Sequence, residues 1–354
     1  MTDLLDDHDV LLADLDGTLY RGAVAVPGAV DAVASAAKRG VRTVYVTNNA
    51  SRRPSEVAEH LRELGFLATD VDVATSSQAA AAMLAEQLPA GAPVYVVGTA
   101  ALVEEVTAVG LTIAARAGDA VAVVQGHSPD TGWKQLAEAS IALRAGALWV
   151  ACNTDRTLPT ERGPLPGNGS MVAALRAATD LEPQVAGKPA PALVNAAVKR
   201  TGAQRPLMIG DRLDTDIEGG RTAGMPSLLV LTGISGAAEV LSAPAALRPD
   251  YIGADLGALE RSAAELAPGP RDGWTVTFVG AGALRVAGDG DPIDALRVLC
   301  HVHWAAGGGP VTVTAEGPGA AAALSALGLD HGADGAGASS ATVAGATTPP
   351  GAHP

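Results

Sequence analysis

Short apolar runs alternate with amphipathic, alanine-rich stretches along the first 80 residues of the chain. Residues 10–14 form an apolar run that ends in aspartate, and residues 41–46 form a second run that ends before a Thr-Asn-Asn sequence. A helix is predicted over residues 27–40 and another over 54–65, because each begins at a proline and ends at a glycine. Buried strands separated by helices predict a parallel sheet with helices on both faces.

The alternation continues beyond residue 80, where three more buried strands are predicted between residues 94 and 151. Strands at residues 206–211 and 227–231 then resume the pattern of the first segment. We therefore expect an α/β fold with a Rossmann-like parallel-sheet core and an inserted domain. The expected division is a core of residues 1–80 and 184–268 and an inserted α/β cap of residues 81–183.

The pattern changes after the Pro-Gly-Pro sequence at residues 268–270. Residues 274–279 alternate like a half-buried strand, residues 311–314 form another strand, and an alanine-rich helix follows. We expect a small α+β appendage over residues 271–331, which resembles part of a GCN5-related acetyltransferase. Residues 332–354 are mostly Gly, Ala, Ser, Thr and Pro, with few large apolar groups, which predicts a disordered tail.

Composition excludes several functional classes. The 354 residues are 48% hydrophobic and 18% charged, with a net charge of −14, so the chain is expected to avoid nucleic acid and anionic membrane surfaces. The two cysteines do not make a disulfide framework, which favours a reducing compartment. The first residues are acidic, unlike a signal peptide, and no apolar run is long enough to span a bilayer. A cytoplasmic protein is expected.

Acidic residues follow two of the predicted core strands. Asp14 and Asp16 come at the end of the first strand, and Asp211 and Asp216 follow a later one. Parallel sheets bind ligands at the carboxyl ends of their strands, and carboxylate oxygens suit Mg²⁺. A solvated turn or an acidic surface loop would contain the same residues. Each pair of aspartates, taken alone, is therefore compatible with a metal site and with an ordinary loop.

Two further positions add polar groups of other kinds. Lys188 precedes a proline and a predicted helix, in a chain that otherwise prefers arginine. Thr47, Asn48 and Asn49 end the second strand with hydrogen-bonding groups and no charge. Such residues bind anions at helix starts, although ordinary helix caps have the same composition.

Taken together, these segments resemble a known family. The order Asp-Leu-Asp-Gly-Thr (14–18), Thr-Asn-Asn (47–49), Lys-Pro (188–189) and Gly-Asp-x-x-x-x-Asp (210–216) resembles the four motifs of the haloacid dehalogenase superfamily. The inserted segments at 153–160 and 166–170 are similar to the NagD-type branch, which has a large α/β cap. The resemblance covers roughly residues 8–260 and is strongest to the glycerol-3-phosphate phosphatases of actinobacteria.

The resemblance implies a role for each motif residue. Asp14 would be the nucleophile that forms an aspartyl-phosphate, and Asp16 would be the general acid and base. Mg²⁺ would be held by Asp14, the backbone carbonyl of Asp16, and Asp211. Thr47 and Lys188 would bind the phosphoryl oxygens.

Two further groups of residues would act around this site. Asp216 would tether Lys188 or a metal-bound water from outside the ligand shell. Substrate contacts are expected from residues of the second motif and of the cap. These candidates are Asn48, Asn49, His127, Asn153 and Asp155.

The implied activity is that of a Mg²⁺-dependent phosphomonoesterase acting on a small phosphorylated metabolite. Asp16 favours a phosphatase, because dehalogenases of the superfamily lack this acid and transport ATPases have threonine there. The expected substrate is glycerol 3-phosphate, with phosphoglycolate or p-nitrophenyl phosphate specificity as alternatives. A regulatory protein that only binds a phosphometabolite is the alternative of another class, although it would not need the Asp14 and Asp16 pair. The resemblance also allows a homo-oligomer formed through the cap.

Overall fold

The computed structural model describes residues 2–158, 160, 162–280 and 282–330. The predicted tail at residues 332–354 lies outside the described residues. Within the described part of the chain, no helix has both the length and the apolar character needed to cross a bilayer.

A six-stranded parallel sheet forms the core and confirms the predicted α/β fold class. Its central strand, Val10–Ala13, pairs with a strand from the start of the chain on one side and with one from beyond residue 205 on the other. All four residues of this strand are buried, as expected for a sheet covered on both faces. In spatial order the strands are Tyr251–Gly253, Ser227–Val230, Pro206–Gly210, Val10–Ala13, Arg42–Thr47 and Val73–Thr75.

Five strands between residues 93 and 185 form a second parallel sheet. Its last strand lies just beyond residue 183, where the expected cap ends, and it is two residues long. In spatial order the strands are Gln184–Val185, Leu148–Ala151, Ala122–Gln125, Pro93–Val97 and Thr112–Ile113. Two short antiparallel hairpins lie outside these sheets. Tyr20–Arg21 pairs with Val24–Ala25 after the central core strand, and Thr157–Leu158 pairs with Leu165–Pro166 in the inserted segment.

A three-stranded sheet follows residue 270. Trp274–Gly280 pairs antiparallel with Ala283–Gly288, which in turn pairs parallel with Thr312–Glu316. The sequence pattern did not predict the middle strand, although Leu284 and Val286 alternate with more exposed neighbours and are buried. Cys300 is buried and His303 bonds the Gly309 carbonyl at 2.9 Å, so both residues belong to the packing of this unit.

The helices begin where the sequence supplies caps. Thr75 accepts a hydrogen bond from the Gln78 amide, and Asp291 accepts one from Ile293 next to Pro292 at the first helical position. The α-helices are Leu4–Asp7, Ala29–Lys38, Pro54–Glu63, Ser76–Gln87, Ala100–Ala108, Trp133–Arg144, Asn168–Thr179, Pro191–Thr201, Glu218–Thr222, Ala237–Leu241, Ala263–Leu266, Pro292–Ala305 and Pro318–Ala326. The 3₁₀ turns are Asp70–Asp72, Ala117–Asp119, Ala245–Leu247 and Leu256–Glu260, and Leu213–Ile217 is a π turn.

The C-terminal unit shares an apolar core with the six-stranded sheet. Trp274, Leu284 and Leu296 are buried in one cluster with Leu229 and Ile252 of the core strands. Apolar surface of the C-terminal unit and of the core sheet is removed from water in this one cluster. The C-terminal unit is therefore an integral part of the packed structure.

A buried arginine also joins the two units. The Arg297 side chain is 1% exposed, and its Nε and Nη2 atoms donate to the Ile252 carbonyl at 3.0 and 2.6 Å. Its Nη1 atom pairs with Asp294 at 2.6 Å. The guanidinium therefore ties the helix Pro292–Ala305 to the edge strand Tyr251–Gly253.

We expect Arg297→Met to lower the free energy of unfolding by on the order of 3 kcal/mol, because it leaves the Ile252 carbonyl without its guanidinium donors and Asp294 with Arg271 as its remaining cationic partner. Thermal and denaturant unfolding measure this change. Arg285→Met is the matched control, since Arg285 is exposed in the same unit. Equal melting temperatures for the two variants would contradict the structural role of Arg297.

Candidate active site

The first acidic segment lies where the central core strand ends. Asp14 follows Val10–Ala13 directly, and its amide donates to the Ile209 carbonyl of the neighbouring strand at 2.8 Å. Thr18 donates from Oγ1 to Asp211 Oδ1 at 3.4 Å, so the first segment contacts the acidic residue of the adjacent strand. The parallel sheet thus brings the two predicted acidic clusters together, although almost 200 residues separate them.

Gly17 is required by this turn. Its φ is +85°, and a Cβ atom at this position would lie 2.4 Å from Asp211 Oδ2. Only glycine combines the left-handed backbone with such a close approach. The Asp-Gly pair of the sequence is therefore a turn that packs against Asp211.

Lys188 lies between two carboxylates. Its Nζ is 2.5 Å from Asp14 Oδ1 and 2.7 Å from Asp216 Oδ1, and it also donates to the Val46 carbonyl at 3.2 Å. The Lys188 and Asp216 side chains are each 1% exposed. The structure thus shows the contact between Asp216 and Lys188 that the sequence analysis considered.

Burial and charge shift the pKa values of this group. Burial raises the pKa of Asp14 well above that of a free aspartate, although the Lys188 ammonium acts in the opposite direction. Burial also raises the pKa of Asp211, to about 6. Burial alone would favour neutral Lys188, but Asp14 and Asp216 outweigh it and raise the pKa of the amine. The cluster therefore holds more negative charge than one ammonium neutralises.

These acids have the chemistry of a divalent cation site. Asp14, Asp211 and Asp216 each place a carboxylate oxygen within 4.8 Å of the others. In the described part of the chain they form the one cluster of three or more His, Cys, Asp or Glu ligands with this spacing. Oxygen ligands with excess negative charge suit Mg²⁺.

The Asp16 carboxylate faces the cleft beside this cluster. Burial raises the pKa of Asp16 above that of a free aspartate, which favours the protonated acid. Thr47 and Asn49 lie opposite, at the end of the next strand, and also line the cleft. Thr47 Oγ1 accepts a hydrogen bond from the Asn49 amide at 3.1 Å.

The cleft has a volume of about 780 Å³ and is lined by residues of both sheets. His127 and Asp155 contribute to its wall from the second sheet, as the sequence analysis expected. Burial raises the pKa of Asp155. The amides of Asn48 and Asn153, however, are used within the protein: Asn48 bonds the Lys188 backbone, and Asn153 Nδ2 donates to the Asn48 carbonyl at 2.7 Å.

The sequence analysis missed the loop that follows the strand Ser227–Val230. The Ile234 amide donates to Asp211 Oδ2 at 2.7 Å, and Ser235 Oγ accepts from the Leu213 amide at 3.0 Å. The Thr-Gly sequence at residues 232–233 could have indicated this loop, because the strand before it also ends at the ligand-binding edge of the sheet.

Models of known families match three segments of the chain. The model described as haloacid dehalogenase-like hydrolase matches residues 11–112, and a second, HAD-hydrolase-like model matches residues 185–259. The model of the GCN5-related N-acetyltransferase like domain matches residues 271–329. The first two matches contain all four motifs.

Curated relatives and solved structures agree with these matches. The chain is 55% identical to D-glycerol 3-phosphate phosphatase of Mycobacterium tuberculosis over 295 residues, which is 83% of this chain and 82% of that protein. It is 36% identical to acid sugar phosphatase of Staphylococcus aureus over 65% of this chain and 89% of that protein. The crystal structure of glycerol phosphate phosphatase from M. tuberculosis in complex with magnesium superposes with a TM-score of 0.87 at 51% identity, covering 93% of this chain and 99% of that one. The resemblance inferred from the motifs is thereby confirmed, and the chain belongs to the haloacid dehalogenase-like hydrolases.

Proposed function

We propose that the protein is a Mg²⁺-dependent phosphomonoesterase that hydrolyses glycerol 3-phosphate to glycerol and phosphate. The observation that carries this proposal is the pairing of Asp14 with Lys188 at 2.5 Å, beside Asp211 and in the cleft that Asp16 also lines. The identity to the mycobacterial glycerol 3-phosphate phosphatase supports the substrate.

In the first step, Asp14 attacks phosphorus and the ester P–O bond breaks. Lys188 binds Oδ1 of Asp14, which leaves Oδ2 as the attacking oxygen. Asp16 gives its proton to the leaving alkoxide, which departs as an alcohol, and burial shifts the pKa of Asp16 upwards, the direction that this role needs. The product is an aspartyl-phosphate on Asp14.

In the second step, water hydrolyses the aspartyl-phosphate. Asp16, now a carboxylate, removes a proton from the water as its oxygen attacks phosphorus. The bond between phosphorus and Asp14 breaks, which releases phosphate and restores both acids. Thr47 and Lys188 offset the charge of the phosphoryl oxygens in both steps.

Magnesium fits the acidic cluster described above. Asp14, Asp211 and the backbone carbonyl of Asp16 would hold the ion, and Asp216 would orient Lys188 from beside it. When bound, Mg²⁺ shields the phosphoryl charge from the attacking carboxylate. The solved complex of the mycobacterial relative with magnesium supports this assignment.

We further propose that the core, the cap and the C-terminal unit have different roles. Residues 1–80 and 184–268 perform the chemistry, and the cap of residues 81–183 selects the leaving group through polar residues of the cleft wall such as His127. Residues 271–331 stabilise the core through the shared apolar cluster.

Asp14→Asn should abolish turnover of p-nitrophenyl phosphate, whereas Asp16→Asn should lower kcat about 10²–10⁴-fold, because it removes only the proton transfer. Steady-state kinetics measure both. Asp31→Asn, on an exposed helix face, is the control that should match the wild type. Steady hydrolysis by Asp14→Asn, with deamidation excluded by mass spectrometry, would refute the nucleophile.

Activity should disappear with a chelator and return with Mg²⁺. Asp211→Asn should raise the Mg²⁺ concentration for half-maximal activity about tenfold or more, since it removes a ligand charge. Asp214→Asn is the control from the same turn, because the Asp214 side chain is 62% exposed and pairs with Arg212. Full activity of the metal-free enzyme is the result that would exclude this site.

Glycerol 3-phosphate should be hydrolysed with a kcat/KM at least about tenfold above that of phosphoglycolate. The polar cap wall can bond glycerol hydroxyls, whereas phosphoglycolate would bring a second carboxylate towards Asp155. A panel of small phosphate esters measured at one pH and one Mg²⁺ concentration tests this. Equal or reversed values would leave the phosphatase assignment standing and overturn the substrate.

A further inference from the structure

The side-chain amide of Asn48 is bonded to both backbone groups of Lys188. The Lys188 amide donates to Asn48 Oδ1 at 2.8 Å, and Asn48 Nδ2 donates to the Lys188 carbonyl at 2.9 Å. A rotated amide would place an oxygen against a carbonyl and an NH₂ group against an N–H, so this orientation is fixed. Asn48 therefore holds the main chain of the residue whose ammonium contacts Asp14.

A cap residue reinforces this orientation. The Asp155 carboxylate oxygens lie 3.3 and 3.4 Å from the same Asn48 Nδ2 atom. Asn153, two residues earlier, donates to the Asn48 backbone carbonyl at 2.7 Å and accepts from the Asp155 amide at 3.2 Å. The strand end of the cap thus contacts both the backbone and the side chain of Asn48.

The neighbouring backbone leaves little freedom for this arrangement. A Cβ atom on Gly187 would lie 2.5 Å from Asn48 Oδ1 and 2.6 Å from the Cys152 carbonyl. The chain before Lys188 is therefore packed directly against the Asn48 amide and the end of a cap strand. A side chain at residue 187 would displace one of them.

We propose that Asn48 and Asp155 are positioning residues, which set the Lys188 ammonium between Asp14 and Asp216 and so couple the cap to the chemical step. The inference rests on the proposed function. A lysine side chain has four rotatable bonds, so the position of its ammonium depends on where its main chain is held. The backbone N–H and C=O groups of Lys188 are both held by the Asn48 side-chain amide, and the Asp155 carboxylate contacts that amide in turn.

The test compares Asn48→Ala, Asp155→Ala and the double variant in p-nitrophenyl phosphate hydrolysis with saturating Mg²⁺. Misplacement of a catalytic group by about 1 Å costs on the order of 10²-fold, so we expect kcat to fall about 10–100-fold in Asn48→Ala. KM should change less than about threefold, because neither residue is assigned to the substrate phosphate. The double variant should be no slower than Asn48→Ala, since Asp155 acts through Asn48.

Three further variants separate positioning from general loosening of the cap. Thr99→Ala removes a cap hydrogen bond to the Ser51 carbonyl of the same loop, 3.2 Å long, and should keep kcat within about twofold. Asp155→Asn keeps an acceptor oxygen for Asn48 Nδ2 and should retain more activity than Asp155→Ala. Gly187→Ala should reproduce the loss of kcat in Asn48→Ala.

A measurement without turnover completes the test. Modification of Lys188 by an amine-reactive reagent, followed by peptide mass spectrometry, should be slow in the wild type and at least about threefold faster in Asn48→Ala, because the side chain is 1% exposed only while it is held. An inactive wild type would refute the proposed function, and the modification rates would then decide the positioning role alone.

Three kinetic results would overturn the proposal. A rise in KM with unchanged kcat would make Asn48 or Asp155 a direct substrate contact. Multiplying losses in the double variant would show that the two residues act independently. A loss in Thr99→Ala equal to that in Asn48→Ala would show that any weakening of the cap has the same effect.

Discussion

The site depends on one buried cation between two carboxylates. Lys188 is 1% exposed and lies 2.5 Å from Asp14 and 2.7 Å from Asp216. An ammonium without partners would be expensive to bury, so the acids keep it charged and it keeps them close together. Because Asp211 adds a further carboxylate, negative charge remains in excess. Burial first, and then the neighbouring carboxylates, raise the pKa values of Asp14 and Asp211. This excess of negative charge suits a divalent cation, and the charge of that cation together with Lys188 would offset the charge of a phosphoryl group.

Sheet topology brings these residues together. Asp14, Thr47 and Asp211 each follow or end one of three adjacent parallel strands, so their positions follow from the strand order alone. Lys188 comes from outside this set, between the last strand of the second sheet and the helix Pro191–Thr201. Its position therefore depends on how the inserted sheet returns to the core. Contacts of Asn48 with the chain that runs from the inserted sheet back to the core therefore affect the position of the Lys188 ammonium.

The sequence predicted the parts of the site that depend on strand ends, and it missed those that depend on contacts between distant loops. Apolar runs ending in Asp14 and Asp211 indicate buried parallel strands, so both the sheet and its acidic edge were predictable. Asn48 and Asn153 were interpreted as substrate contacts because a free amide suits such a role. Their partners lie more than 100 residues away, and no local pattern reveals that the amides are already bonded. The strand Ala283–Gly288 was missed for a related reason. Its alternation of buried and exposed residues is short, and its pairing with Trp274–Gly280 and Thr312–Glu316 cannot be seen in the local sequence.

The C-terminal unit contributes through packing rather than through a ligand site at its longest helix. The start of Pro292–Ala305 is capped by the Asp291 carboxylate, and Asp294 lies in its first turn, so its own acids occupy the end that would attract an anion. The same helix packs against Ala237–Leu241, and Trp304 Nε1 donates to the Leu241 carbonyl at 3.1 Å. The helix Ala237–Leu241 directly follows the loop whose Ile234 amide binds Asp211. Packing of the C-terminal unit therefore restrains the loop that bonds Asp211, the carboxylate proposed to bind the metal, although the unit supplies no residue to the cleft among those described.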